Sequence, residues 1–363
     1  MTKNKLITFT IKGYKSICSI ENFKPRPVNI LIGPNGAGKS NFISFFEFLG
    51  HILNAGGKLQ EYVAYLGGAN DILFDGVDVT KSIDAEISIE TNNELNEYKF
   101  SLMYAKPDRL VFRYESFRYP EKQTEWNSCG TGHEESRLPE VNDKTVASMF
   151  NLLRRLIIYR FYNTSDTANM RLKWSADDGR WLKQNGDNLG SFLYRMQDKE
   201  KAYYNRIVRY LRLILPFFED FELYDEFGKV MLRWKEKGTD KIFNAGQASD
   251  GMLRTIALVS LLAQNPKDLP DIIFLDEPEL GIHPAAIDTI AGLIKAASSD
   301  CQIFVATQSI SLVNNFDLDD LIVINRKGRA SEYIRPESEK LKAYLDEFST
   351  GQIWEKNIIG GRP

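Results

Sequence analysis

Gly33-Pro34-Asn35-Gly36-Ala37-Gly38-Lys39-Ser40 is the stretch on which the reading of this sequence turns. The short apolar run Val28-Asn29-Ile30-Leu31-Ile32 precedes it, and Asn41 to Leu49 follows with a helical pattern. A strand, a glycine loop spaced G-x-x-x-x-G-K-S and a helix together make a phosphate-binding P-loop. Glycines let backbone N–H groups close around phosphate oxygens, and the helix N-terminus adds partial positive charge. Lys39 is placed to reach the β- and γ-phosphates, and the Ser40 hydroxyl to meet Mg²⁺. Asn35, Gly36, Ala37, Gly38, Lys39, Ser40 and Asn41 are therefore expected to line a bound nucleoside triphosphate.

The rest of the composition sets bounds around that motif. A chain of 363 residues predicts about two domains, or one with a large insertion. At 43% hydrophobic and 26% charged residues it has material for a sizeable core. No apolar run approaches the ~20 residues that span a bilayer. Met1-Thr2-Lys3-Asn4-Lys5 leads into a strand pattern instead of a signal-peptide apolar region, so a cytoplasmic protein with no membrane partner is expected. Cys18, Cys129 and Cys301, with His51, His133 and His283, show no metal-ligand spacing. A net charge of −3 does not suit a protein that coats nucleic acid through bulk electrostatics.

Read in order, residues 5–12 alternate as a half-buried strand, and a second strand is expected near 17–23. The P-loop helix is expected from Ser40 to about Asn54, ended by Gly56-Gly57, with a loop at 65–71. Residues 83–119 read as antiparallel strands, 120–142 as an exposed loop and 156–162 as a strand. Residues 189–215 are helical in pattern, and carry Arg195, Lys199, Arg206, Arg209 and Arg212. That basic run is either a solvated helix face or a DNA-binding patch. Buried strands follow at 272–275, 302–306 and 321–324, with a helix from Pro284 to Ser298. The predicted division is a split nucleotide-binding core at 1–84 and 240–335, a β-rich subdomain at 85–162, a helical lid insertion at 163–239 and a tail at 336–363.

Asp276-Glu277 closes the strand at 272–275, at the edge where a P-loop fold holds its metal. Asp276 is the expected Mg²⁺ residue, and Glu277 the general base that deprotonates the attacking water. Gln247-Ala248-Ser249-Asp250-Gly251-Met252 opens a helix expected over Leu253–Ala263. Ser249 on its own reads first as a simple N-cap and second, with the Gly251 N–H, as an anion site aimed at a γ-phosphate.

The order of Gly33–Ser40, Ser249-Asp250-Gly251 and Leu275-Asp276-Glu277-Pro278-Glu279-Leu280-Gly281-Ile282-His283-Pro284 resembles the ABC-type ATPases. Ile11-Lys12-Gly13-Tyr14-Lys15-Ser16-Ile17, the Lys-Ser-Asn after the P-loop glycines and the ending Ile353–Pro363 resemble the RecF/SMC/OLD branch, and within it a set of bacterial predicted ATPases. The resemblance implies an α/β fold: an ABC-type P-loop NTPase head with an antiparallel β subdomain and an inserted helical lid. It also implies a homodimer that sandwiches two ATP molecules. Ser249 of one head completes the site built by Lys39 and Glu277 of the other, and 280–284 crosses the interface as the D-loop.

The sequence departs from the family pattern in several places. Asp250 stands where many ABC proteins have glycine, which threatens to put a carboxylate near a γ-phosphate. Gln308 stands at the switch position that usually holds histidine; a neutral amide can hydrogen-bond phosphate or water but cannot become cationic, so slow hydrolysis is expected. Asn163 is the candidate for the Gln-loop. OLD relatives carry a TOPRIM-type nuclease domain after the ATPase, and on the resemblance no counterpart is expected within these 363 residues. Asp317, Asp319 and Asp320 read as loop residues, so an effector such as a nuclease would be a separate protein. The resemblance thus implies an ATP-hydrolysing switch for that effector, in DNA processing or phage defence. The alternatives are an ATP-stabilised scaffold with little turnover, or a RecF-like repair ATPase that contacts DNA near 195–212.

Overall fold

The computed structural model of the protein describes residues 4–53 and 58–362. Its centre is a six-stranded sheet in the order Ala330–Ile334, Leu321–Lys327, Val28–Ile32, Gln302–Ala306, Ile272–Asp276 and Ile157–Tyr159. Every pairing is parallel except that of the first two strands, which form a hairpin. Val28–Ile32, Ile272–Asp276 and Gln302–Ala306 are buried at every position, as strands covered on both faces must be.

Successive side chains of these strands point to opposite faces, so each strand feeds two cores. Ile30, Ile32, Ile273, Leu275, Ile303 and Val305 enter one, against the helices Asp250–Leu262 and Pro284–Ala297. Leu31, Ile272, Phe274, Phe304 and Ala306 enter the other, against the P-loop helix Lys39–Ile52 and the antiparallel sheet. Phe46 stacks on Phe274 at 4.8 Å, and Phe274 on Phe304 at 4.8 Å, so the P-loop helix is bolted to the sheet by aromatic rings.

The second sheet is antiparallel, in the order Ile17–Phe23, Lys5–Tyr14, Ser82–Thr91, Glu94–Ala105, Arg109–Arg118 and Asn127–Gly130. Strand pairing therefore cuts across the sequence-based division. The first two strands, placed on sequence in the split core, pair here through Leu6↔Ile89 and Phe9↔Ile87. Ile157–Tyr159, placed in the β-rich unit, is instead the edge of the parallel sheet, with Ile273↔Ile157 and Leu275↔Tyr159. Period-2 alternation shows that a segment is a strand and which residues face inward, but carries no information about which sheet it joins.

Local expectations differ at three points. Residues 65–71 are mostly helical, with Leu59–Tyr65 and Ala69–Ile72 on either side of Gly67-Gly68. The segment 120–142 contributes the strand Asn127–Gly130 and the buried His133. The insertion at 163–239 holds two helices, Leu189–Lys199 and Lys201–Ile214, and also the strands Phe218–Phe221 and Arg233–Glu236. Asn54, Gly56 and Gly57, expected to end the P-loop helix, lie outside the described residues.

The tail is not a separate piece. Ser349 caps Thr350–Glu355, Trp354 is fully buried and donates to the Gly361 carbonyl, and Gly361 N–H donates to Asn325 at 2.6 Å. Gly361, at φ 63°, lies against Val323 and Gly33, so the end of the chain buttresses the start of the P-loop.

Candidate nucleotide site

Sterics explain the P-loop glycines. Gly38 has φ 120°, and a β-carbon there would stand 2.2 Å from Ser331 Oγ and 2.9 Å from Ser16 Oγ. The neighbours that exclude a side chain also hold the loop. Ser331 Oγ donates to the Ala37 carbonyl at 2.5 Å, Arg326 to Gly36 O at 3.1 Å and Tyr333 to Gly38 O at 3.3 Å. Asn41 donates to Ser16 Oγ at 2.8 Å. Within the loop, the Ala37 N–H donates to Pro34 O at 3.2 Å. Lys39–Ile52 has neither a side-chain N-cap nor an acidic residue in its first turn, which leaves its N-terminal donors and dipole unanswered.

Lys39 is buried, with Nζ 2.6 Å from Gly33 O and 3.1 Å from Pro34 O. Burial pulls its pKa down, against the raising influence of Glu277, Asp276 and Glu279. Asp276, at the end of its strand, is buried too, and burial pushes its carboxyl up. The Arg160 guanidinium, 3.6 Å away, and a hydrogen bond from Tyr162 oppose that shift.

Glu277 adopts φ 43°, an uncommon conformation for a residue with a side chain, and its N–H is fixed to Ala306 O at 2.8 Å. Its Oε1 accepts from the Gln308 amide at 2.9 Å, and the same amide nitrogen donates to Asn35 Oδ1 at 2.8 Å. Asn35 from the P-loop, Glu277 from one strand end and Gln308 from the next thus form one hydrogen-bonded group.

Ser249 caps the helix Asp250–Leu262, its Oγ accepting from Met252 N at 3.3 Å, so the helix begins earlier than the expected Leu253. Asp250 pairs with Arg171 at 2.9 Å. Gly251 packs on the D-loop segment, where a β-carbon would meet Gly281 O at 2.1 Å. Arg254 donates to Leu280 O at 3.1 Å, Phe161 O at 3.1 Å and Tyr162 O at 3.2 Å, joining three segments into one block. Among the described residues no hydrogen bond links 249–251 to the P-loop of the same chain.

Residues 28–314 match the family described as "AAA domain, putative AbiEii toxin, Type IV TA system". The chain belongs to this family. It is also similar to the Old nuclease of Escherichia phage P2, 22% identical over 389 residues that cover 93% of this chain and 62% of that protein. The chain thus spans less than two thirds of the phage protein's length. The ATP-binding protein EcfA2 of the Staphylococcus aureus energy-coupling factor transporter is 32% identical over 107 residues, 29% of this chain and 36% of EcfA2. Among solved structures, an SMC head bound to the C-terminal winged-helix domain of ScpA aligns with TM-score 0.63 at 17% identity, covering 92% of this chain and 99% of the other. The Pyrococcus furiosus SMC head with an extended coiled coil, bound to the C-terminal domain of ScpA, gives 0.61 at 15% identity, covering 95% and 99%. The fold is that of an SMC-type head, and the family match and the likeness to Old nuclease align the chain with the ABC-type ATPases of the RecF/SMC/OLD branch.

Within this AAA-family chain, sequence reasoning passed over Arg160, Tyr162 and Glu47. Arg160 contacts both oxygens of Glu47, at 3.1 and 3.0 Å, beside Asp276. Asn163, the Gln-loop candidate, accepts from Ser165 at 2.9 Å. The register Leu275↔Tyr159 brings residues 160–162 to the edge where Asp276 stands, and that register was not readable from spacing alone. Arg171 was missed as well, and it answers the question raised by Asp250: the carboxylate is held by a buried guanidinium.

A hydroxyl and a carboxylate, Ser40 and Asp276, are hard oxygen donors of the kind magnesium takes, and the buried Asp276 carboxylate is faced by the Arg160 guanidinium at the long distance of 3.6 Å. Among the described residues no group of three or more His, Cys, Asp or Glu could hold a metal. Magnesium suits such a sparse set, because substrate phosphates and water supply its remaining ligands.

Proposed function

We propose that this chain binds ATP with Mg²⁺ and hydrolyses it, and that two copies close around two nucleotides to switch a separate effector. The observation that carries the reading is the group formed by Asn35, Glu277 and Gln308, which joins the P-loop to the expected base. Lys39 would exchange the Gly33 and Pro34 carbonyls for phosphate oxygens. Glu277 would take the proton of a water whose oxygen attacks the γ-phosphorus as the bond to the β–γ bridging oxygen breaks. Gln308 would keep the Glu277 carboxylate aimed at that water. Ser40 and Asp276 would hold magnesium, which would supply neutralisation of the phosphate charge.

Among the described residues Ser249 and Gly251 make no hydrogen bond to their own P-loop, which supports their service to a second copy. The effector, a nuclease or another protein, and a role in phage defence or DNA processing rest on the likeness to the family and to Old nuclease. A cytoplasmic location accords with the finding that no described helix is long and apolar enough to cross a membrane.

Direct contact with DNA is the second reading. Arg195 pairs with Glu200 at 2.7 Å and Arg212 with Asp220 at 3.7 Å, so part of the basic run is already answered. Arg206 and Arg209 lie over the Tyr210 ring and would carry such contact.

Steady-state phosphate release from the parent, Glu277→Gln and Lys39→Ala tests the enzyme reading. Loss of turnover in both variants supports it, whereas turnover untouched by Glu277→Gln overturns the base assignment. A Glu277→Gln protein that stays monomeric with Mg²⁺ and ATP, by light scattering, overturns the dimer.

A further inference from the structure

One guanidinium serves two carboxylates beside this site. Arg160 follows the edge strand Ile157–Tyr159, its Nη1 contacting both oxygens of Glu47 and its Nε standing 3.6 Å from Asp276 Oδ2. Glu47 lies on the P-loop helix and lines, with Ser40, Ser44 and Arg160, a cleft of about 590 Å³. The Arg160 backbone N–H donates to Gln184 O at 3.0 Å, in the inserted segment.

Arginine does not lose its charge, so the guanidinium cannot make room for another cation by deprotonating. Asp276 is nevertheless the carboxylate on which a divalent cation is expected. Two cations facing one buried carboxylate repel, and the contacts already show which can yield. Arg160 holds Glu47 through both oxygens at hydrogen-bond distance, and Asp276 through the longer contact alone.

We propose that Arg160 is a positioning residue that supplies the counter-charge of Asp276 before nucleotide arrives and retires onto Glu47 when magnesium takes its place. This inference rests on the Mg–ATP reading of the site. It gives Glu47 a role as the parking place for the displaced cation. The backbone bond to Gln184 meanwhile anchors the base of the Arg160 side chain to the inserted segment, so the exchange needs only side-chain rotation.

The test is the affinity of the full chain for a fluorescent ATP analogue, titrated in EDTA and against Mg²⁺. Parent, Arg160→Gln, Arg160→Lys, Glu47→Gln and the Arg160→Gln/Glu47→Gln double variant are compared, with melting temperatures confirming that each is folded. Arg160→Gln is expected to lower the Mg²⁺ concentration for half-maximal binding about tenfold and to weaken metal-free binding about threefold, as loss of one nearby positive charge requires. Glu47→Gln is expected to raise the Mg²⁺ requirement, and its effect is expected to vanish in the double variant, because it acts through Arg160. Arg160→Lys, which keeps the charge, is expected to stay near the parent. Equal weakening of both affinities by Arg160→Gln, or a Glu47→Gln effect that persists without Arg160, overturns the exchange while leaving the Mg–ATP reading intact. A folded parent that binds no nucleotide in either condition overturns both.

Discussion

The carboxylate of Asp250 sits 2.9 Å from the guanidinium of Arg171, which also donates to Thr164 O at 2.9 Å, Ala245 O at 2.6 Å and Ala248 O at 2.9 Å. The pair is lopsided, because the Arg171 side chain is 6% exposed and that of Asp250 61%. Arg171 is thus a buried tie between the inserted segment and the turn at 245–250, and Asp250 is its solvent-side counter-charge.

That asymmetry predicts unequal mutants. Arg171→Ala breaks a buried charged network and removes a donor from three carbonyls, of which Ala245 O keeps the Ala248 N–H, so it is expected to cost about 3 kcal/mol of unfolding free energy. Asp250→Asn keeps an acceptor and removes an exposed charge, and is expected to cost ~1 kcal/mol or less. Urea denaturation of the two variants measures the difference; equal losses would refute the asymmetry.

Gly251 makes a sharper steric prediction. It lies in the first turn of Asp250–Leu262, where alanine is ordinarily favoured over glycine by about 1 kcal/mol. Here the added β-carbon would stand 2.1 Å from the Gly281 carbonyl oxygen, a backbone atom with no rotamer to change. Gly251→Ala is therefore expected to lower the melting temperature despite the gain in helix propensity, and to abolish ATP-dependent dimerisation in the Glu277→Gln background. Gly292, also helical but with open space around it, is the control: Gly292→Ala should raise the melting temperature.

The division between what was legible and what was not follows from the range of each interaction. The strand–loop–helix around Lys39 and the strand that ends at Asp276 could be placed because each is marked by a few residues in a row. The buried parallel strands could be read because an apolar run such as Ile272–Leu275 has few other stable uses. Membership of a sheet was not legible, as Lys5–Tyr14 and Ile157–Tyr159 show, because pairing is settled by segments far apart in sequence. For the same reason Arg160 and Arg171 escaped notice: their carboxylate partners are 116 and 79 residues further along. Ser331, which closes the P-loop 294 residues from Ala37, gave no signal in the sequence.

Gln308 lets the contribution of the neutral switch residue be measured. Its amide is the donor that connects Glu277 to Asn35. Gln308→Ala leaves Lys39, Ser40 and Asp276 in place, so nucleotide affinity is expected to change little. It frees the Glu277 carboxylate from its aim, and phosphate release is expected to fall about 10- to 100-fold, in the range that a misplaced acid–base group costs. Single-turnover phosphate release and equilibrium nucleotide binding separate the two effects. A parallel loss in both would reduce Gln308 to a structural tether.

Glu279 supplies a pH prediction. Its Oε1 accepts from Thr307, while Oε2 is buried without a partner, and burial pushes the carboxyl above the ordinary value. A carboxyl whose pKa is raised by folding binds its proton more tightly in the native state than in the unfolded one. Its contribution to stability is therefore fully present below the unfolded value, near the ordinary glutamate pKa, and is lost as pH rises through the raised native value. Above that value the buried charge is a standing penalty. Glu279→Gln keeps the shape and the oxygen that Thr307 needs, and removes the charge. The variant is expected to be more stable than the parent at pH 8, with the advantage shrinking towards pH 4, where the parent carboxyl is itself neutral. Chemical denaturation at several pH values between those limits gives the difference directly. An advantage that is constant across the range, or that grows towards acid, would show that the Glu279 charge is not what separates the two proteins.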